Sequence, residues 1–179
     1  MKESNEYLIE ACRRRNKPAQ LCLYRKYAPK LYMACLRITG NKMDAEESMQ
    51  DAFLKVFNRL DQFRDDQNFE AWIHRIAVHT AIDFVRRQKP EWEDFSPDYA
   101  APPDEEDELR EESVHYAVGQ VKEAAQKLPP GYRVVLSLYL FEGYDTEEIA
   151  SILDIQPTSV RTQYLRAKRK LIDIITATN

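Results

Sequence analysis

Glycine is scarce in this chain, with 4 in 179 residues. That scarcity excludes a Gly-rich phosphate loop and a collagen-like repeat, both of which need closely spaced glycines. Cysteine is scarce as well. Cys12, Cys22 and Cys35 are odd in number and spaced by 10 and 13, which fits no zinc or redox pattern. All three fall at apolar positions of helical patterns and read as buried, reduced thiols. The three histidines, His74, His79 and His115, include no i, i+4 pair, so neither a metal site nor a cofactor is expected. No run approaches the roughly 18 apolar residues that cross a bilayer. The polar start from Met1 to Glu6 has no apolar signal segment. A cytoplasmic protein without membrane insertion is therefore expected.

What the chain does have is charge, unevenly placed. The formal net charge is −4, which on its face speaks against nucleic-acid binding. Residues 1–89 hold 17 Lys+Arg and 12 Asp+Glu, a net +5. Residues 90–112 hold 11 acids and only Arg110 as a base, a net −10, together with Pro90, Pro97, Pro102 and Pro103. Residues 113–179 hold 8 bases and 7 acids, a net +1. A proline-rich acidic stretch cannot bury enough apolar surface to fold alone. It reads as a linker between two small domains, 1–89 and 113–179.

Every strong periodicity is helical. Tyr7, Leu8, Ala11 and Cys12 form a short stripe after Ser4, a candidate N-cap. Leu21, Tyr24, Ala28, Leu31, Tyr32, Cys35 and Leu36 continue it, and Gly40-Asn41 punctuates the chain. Asp44 and Glu47 suggest a capping box ahead of Met49, Ala52, Phe53, Val56, Phe57 and Leu60. Residues 61–68 read as a loop, and 69–87 as a helix with Ile73, Ile76, Ala77, Thr80 and Phe84 on one face. Beyond the linker, Val114, Ala117, Val118, Val121, Ala124, Ala125 and Leu128 form a stripe ended by Pro129-Pro130-Gly131. Val134, Val135, Leu138 and Tyr139 mark the next helix, which stops near Gly143. The fold class expected is all-α, two small helical bundles joined by an acidic linker.

Asp145 and Glu148 predict a capping box opening a short helix over 147–153, and Pro157 suits the first position of a longer one to 174. A short joint between them predicts a helix-turn-helix, whose second helix enters the major groove. That helix carries Arg161, Arg166, Lys168, Arg169 and Lys170 without an acid among residues 161–170. Thr158, Ser159, Thr162 and Gln163 are suited to base edges, Arg166 and Arg169 to phosphates. A plain amphipathic helix with a basic end is the competing reading.

In the first half, Phe63, Arg64, Asp65, Asp66, Asn68 and Phe69 precede a helix bearing Trp72, His74, Arg75, His79, Arg86 and Arg87. Aromatics beside Arg and Asn suit unstacked bases. Core aromatics with solvated charges explain the same residues equally well. No nucleophile–base pair appears, so no catalytic residue is nominated.

These motifs, in this order, resemble the bacterial RNA polymerase sigma factors. Asp44 to Phe57 is similar to conserved region two. Phe69 to Ala77 with Asp83 to Arg87 is similar to its promoter-melting part. Leu128 to Arg133, Gly143 to Ala150, Ser159 to Gln163 and Arg166 to Lys168 are similar to region four. The layout resembles the extracytoplasmic-function (ECF) subfamily. The resemblance implies that Glu46, Glu47, Gln50, Asp51 and Phe53 dock on the β′ subunit of core RNA polymerase. It implies minus-ten contacts from Phe63, Arg64, Asp65, Asn68, Trp72, Arg75, His79, Arg86 and Arg87. Minus-thirty-five contacts would come from Thr158, Ser159, Arg161, Thr162, Gln163, Arg166, Lys168 and Arg169. It further implies an acidic linker threading the polymerase β and β′ subunits toward the RNA exit, and an anti-sigma protein as a partner. Three positions depart from the family: His79 stands where Asn is usual, Thr158 where Gly is common, and Gln163 where Arg is common.

Three other functions compete. A helix-turn-helix regulator of another class, such as a response regulator, needs a strand-rich receiver that the helical first 89 residues do not supply. An all-α adaptor without DNA binding predicts no promoter-dependent transcription. A helical carboxylate enzyme predicts metal-dependent turnover lost in Asp66→Ala.

Overall fold

A computed structural model describes residues 2–64, 68–88 and 118–177. The described residues are helical, with no strand among them, and the chain divides into two compact units, residues 1–88 and 89–179. The acidic segment 90–112, together with Val114 and Ala117, lies outside the described residues.

The first unit contains α1 (Lys2–Arg13), α2 (Lys17–Thr39), α3 (Lys42–Arg59) and α4 (Phe69–Gln88), with a 3₁₀ turn at Leu60–Gln62. Helices α2, α3 and α4 pack pairwise on one another, and α1 lies against α2 and the 3₁₀ turn. Their core is Leu23, Leu31, Ile38, Val56, Leu60, Ile73, Val78 and Ile82, all with almost no exposure.

Several local expectations are corrected. Ser4 lies inside α1 and so is not its N-cap. Tyr7 is 81% exposed, and the inward side of α1 is Ile9 and Cys12. In α2 the buried positions are Leu23, Tyr27, Leu31, Ala34, Cys35, Ile38 and Thr39, so the expected stripe is out of phase in its first half and Leu21 faces outward. Cys22 is exposed for the same reason, whereas Cys12 and Cys35 are buried. Burial pushes the Cys12 thiol up to about 11, with Cys22 adding to the shift.

Gly40, at φ 71°, ends α2 in the left-handed conformation that suits glycine, and its N–H donates to Leu36 O. Asn41, not Asp44, caps α3: its Oδ1 accepts from Met43 N at 2.8 Å and Asp44 N at 3.2 Å. A short amide side chain three residues upstream outcompetes the carboxylate because Asp44 is already inside the first turn.

The second unit contains α5 (Val118–Lys127), α6 (Pro130–Leu140), α7 (Thr146–Leu153) and α8 (Pro157–Thr176). Ala124, Ala125, Leu128, Leu136, Ala167, Leu171 and Ile175 form one apolar cluster, flanked by Val121, Tyr132, Tyr164 and Ile174. Val118 and Tyr139, read as buried positions, are exposed. Pro129-Pro130-Gly131 does more than end α5. Pro130 occupies the first turn of α6, where a missing N–H costs nothing. The carbonyls closing α5 receive a buried guanidinium, since Arg133 Nη1 donates to Leu128 O at 2.9 Å and Gln126 O at 3.3 Å.

Candidate nucleic-acid interface

The second unit builds its surface from a turn. Asp145 Oδ1 accepts from Glu148 N at 2.8 Å, and Glu148 Oε2 accepts from Asp145 N at 3.0 Å, so the expected capping box opens α7. Asp154 ends α7 at φ 56°, its N–H donating to Ala150 O. Ile155 and Gln156 complete a three-residue joint, and α8 starts with Pro157. Helices α7 and α8 pack on each other, and both pack on α6. This is the helix-turn-helix arrangement.

Burial then sorts the side chains of α8. Val160, Gln163, Ala167, Leu171 and Ile175 face inward. Thr158, Arg161, Lys168, Arg169 and Lys170 are exposed, with Ser159, Thr162 and Arg166 half-buried. One face therefore presents hydroxyls at its N-terminal end and cations further along, the arrangement suited to base edges and phosphates. Thr162 Oγ1 donates to Thr158 O at 3.1 Å, so its hydroxyl proton is engaged while its oxygen still has acceptor capacity. Gln163 is the exception among the nominated residues. It is 8% exposed, because its position continues the inward row set by Val160 and Ala167. Tyr164 stacks on Tyr139 with centroids 4.4 Å apart, and burial beside that ring raises its pKa.

In the first unit, α3 turns Glu46, Glu47 and Gln50 outward, with Asp51 half-buried at the edge toward α4. Phe53, nominated with them, is a core residue at 3% exposure, its ring 4.6 Å from Tyr24 and 6.0 Å from Phe57. Two residues of this outward face were not nominated from sequence: Met43 and Leu54, 79% and 62% exposed. Their signal is positional, since 43, 47, 50 and 54 repeat at helical spacing on the side opposite the core stripe.

The loop end of α3 is organised by aromatics. Phe63 packs on Phe69 at 5.1 Å and Trp72 at 5.2 Å, and Phe69 also meets Tyr27 at 5.6 Å. Phe63 and Phe69 are buried, so the core reading holds for these two, while Trp72 is half-buried. Asn68 caps α4, its Oδ1 accepting from Glu70 N at 3.0 Å and Ala71 N at 3.2 Å, which leaves its amide NH₂ for other use. Arg64 is exposed, and Asp65 lies outside the described residues.

Along α4, Arg75, His79 and Arg87 are exposed and Arg86 is half-buried. Asp83 shares that face and is 3.9 Å from Lys55 Nζ, which also donates to Thr80 Oγ1 at 3.1 Å. Desolvation lowers the His79 pKa, Asp83 opposes that shift, and Arg75, Arg86 and Lys55 add to it. Glu70 is held below its ordinary value by the hydrogen bond from Lys30, which ties α4 to α2. Among the described residues no three His, Cys, Asp or Glu side chains gather as a metal site. No described helix is long and apolar enough to cross a membrane.

Comparison with known proteins matches both units. Residues 23–91 match the Sigma-70 region 2 family and residues 119–171 match Sigma-70 region 4. The RNA polymerase sigma-H factor of Pseudomonas aeruginosa is 30% identical, over 94% of this chain and 92% of that protein. The ECF RNA polymerase sigma factor SigE of Mycolicibacterium smegmatis is 31% identical over 86% of this chain, which spans 60% of that relative's length. Among solved structures, CnrH in complex with the cytosolic domain of CnrY has a TM-score of 0.53 at 22% identity, over 97% of both chains. The sigma factor RpoE in complex with the anti-sigma factor NepR, from Bartonella quintana, has a TM-score of 0.55 at 19% identity, over 87% of this chain and 96% of that one. Those two show the shared fold.

With both regions present in chain order, the chain belongs to the RNA polymerase sigma factors. Within them it is of the extracytoplasmic-function subfamily, proteins of transcription initiation.

Proposed function

We propose that this chain directs core RNA polymerase to promoters and has no catalytic chemistry of its own. In this reading the outward face of α3, with Glu46, Glu47 and Gln50, docks on the β′ subunit. The loop after α3 and the face of α4 with Arg75, His79, Arg86 and Arg87 hold the melted minus-ten strand. Helix α8 reads the minus-thirty-five element as duplex through Thr158, Ser159, Arg161 and Thr162, with Arg166, Lys168 and Arg169 on phosphates. The acidic segment 90–112 runs along the polymerase toward the RNA exit, and an anti-sigma protein is the regulatory partner. The carrying observation is the helix-turn-helix of the second unit. Its outward face is basic in a chain whose net charge is −4.

Reconstitution with core polymerase, followed by sequencing of transcript starts on fragmented genomic DNA, tests it. Starts clustered behind one pair of upstream elements are expected. Starts no different from those of core polymerase alone would favour the adaptor reading.

A further inference from the structure

Helix α1 carries none of the residues assigned above and precedes the region-two match, which starts at residue 23. One of its side chains nonetheless reaches across to the loop after α3. Arg13 Nε donates to Leu60 O at 3.2 Å, and Arg13 Nη2 donates to Phe63 O at 2.7 Å. Phe63 N–H itself donates to Leu60 O at 3.2 Å, closing the 3₁₀ turn between them. One guanidinium thus grips both ends of a four-residue turn. It also meets Glu10 Oε2, 3.4 Å from Nη1, and the side chain is only 21% exposed.

The chemistry suits orientation more than bulk stability. A planar fork with two donors on two carbonyls fixes the direction of the peptide as well as its place. The buried Phe63 ring, against Phe69 and Trp72, holds the same residue from the other side. The next residue of the loop is Arg64, exposed and among the residues proposed to meet the minus-ten element. At the far end Asn68 caps α4. The two ends of that loop are therefore anchored by different means: a side-chain cap at one, and a guanidinium from α1 at the other.

We propose that Arg13 is a positioning residue for minus-ten recognition. Its guanidinium sets the direction in which the chain leaves Phe63, and so the geometry with which Arg64 meets an unstacked base. Selective contacts to a base tolerate little misplacement, so a loop that loses the guanidinium at its start binds DNA with less discrimination. The proposal rests on the minus-ten role given to this loop under the proposed function.

The test uses the full chain assembled with core polymerase, transcribing a promoter library randomised at both upstream elements, with starts counted by sequencing. Arg13→Ala is expected to lower base preference at one or more minus-ten positions by about fivefold or more. Preference at the minus-thirty-five element and affinity for core polymerase stay as in the parent chain. Arg13→Lys, with a point donor in place of a fork, falls between the two. If Arg13→Ala fails to fold, Arg13→Lys and Arg13→Gln are judged by the same readout. Unchanged minus-ten preference in a folded variant overturns the proposal, and so does an equal fall at both elements, which marks a merely structural role. Arg64→Ala separates the two levels. If that chain loses minus-ten preference while Arg13→Ala keeps it, the loop reads DNA without help from Arg13. If neither changes preference, the loop's own role falls and Arg13's with it.

Discussion

Asp51 Oδ2 lies 3.9 Å from Arg87 Nη2, joining the edge of the proposed polymerase face on α3 to the proposed DNA face on α4. Lys55 and Asp83 repeat the link at 3.9 Å, one turn further along α3. With Arg86, these four residues line a shallow cleft of about 370 Å³. Both ion pairs are substantially exposed, so their attraction is screened and offset by side-chain entropy. A double-mutant cycle with Asp51→Ala and Arg87→Ala should give a stability coupling below about 1 kcal/mol that shrinks as salt rises. In function the two should part: Asp51→Ala weakens core-polymerase binding, and Arg87→Ala weakens open-complex formation. Identical defects in both assays would show that the pair acts only through the fold.

Arg133 is buried with its guanidinium on the carbonyls that end α5. Arg133→Ala leaves those carbonyls without their donor and opens a space in the second unit. A loss of about 2–4 kcal/mol in urea unfolding of that unit is expected, with Arg133→Lys losing less. The first unit's transition should not move, and a shared shift would show that the two units unfold together.

On α8, the exposed cations and the hydroxyls should separate by readout. Lys168→Ala and Arg169→Ala should each weaken DNA binding on all sequences and lower the salt slope by about 1 where a phosphate contact is lost. Thr158→Ala should change which minus-thirty-five sequence is preferred, with little effect on the slope. Gln163→Ala should act mainly on stability, because that side chain faces inward. A change of sequence preference in Gln163→Ala without loss of stability would assign it to the DNA instead.

The His79 pKa is lowered in the folded chain, so the unfolded chain takes up this proton first as pH falls. Its contribution to stability is therefore full above the ordinary value near 6.5 and declines as pH falls through it, levelling off below the folded-state value. His79→Asn should remove this component from the stability–pH curve measured between about pH 5 and 8. At neutral pH the ring is uncharged and can meet DNA by a hydrogen bond. Protonation at lower pH adds a cation to the Arg75–Arg86 face and should strengthen non-specific DNA binding in the parent chain more than in His79→Asn.

The helices were legible because their signals are local. The Asp145–Glu148 box, Pro157 at the start of α8 and the Met49–Leu60 stripe depend on spacings of three and four within one segment. The phase of α2 was not legible. Its apolar residues nearly encircle the helix, and which of them face inward depends on where α3 and α4 lie. Cys22 and Leu21 turned outward on that ground alone.

The site divides in the same way. Amino-acid order by itself determined that the described residues are helical, that the chain's net negative charge comes from 90–112, and that a basic helix follows a short capped one. Each of these is a matter of composition or near-neighbour spacing. Only the tertiary structure decided that Phe63 and Gln163 face inward, that Leu21 and Cys22 face outward, and that Arg13 holds a loop 50 residues away. The physical reason is that burial and long-range hydrogen bonds belong to pairs of segments. A periodic pattern can mark a face, but only the packed partner decides whether that face is core or surface.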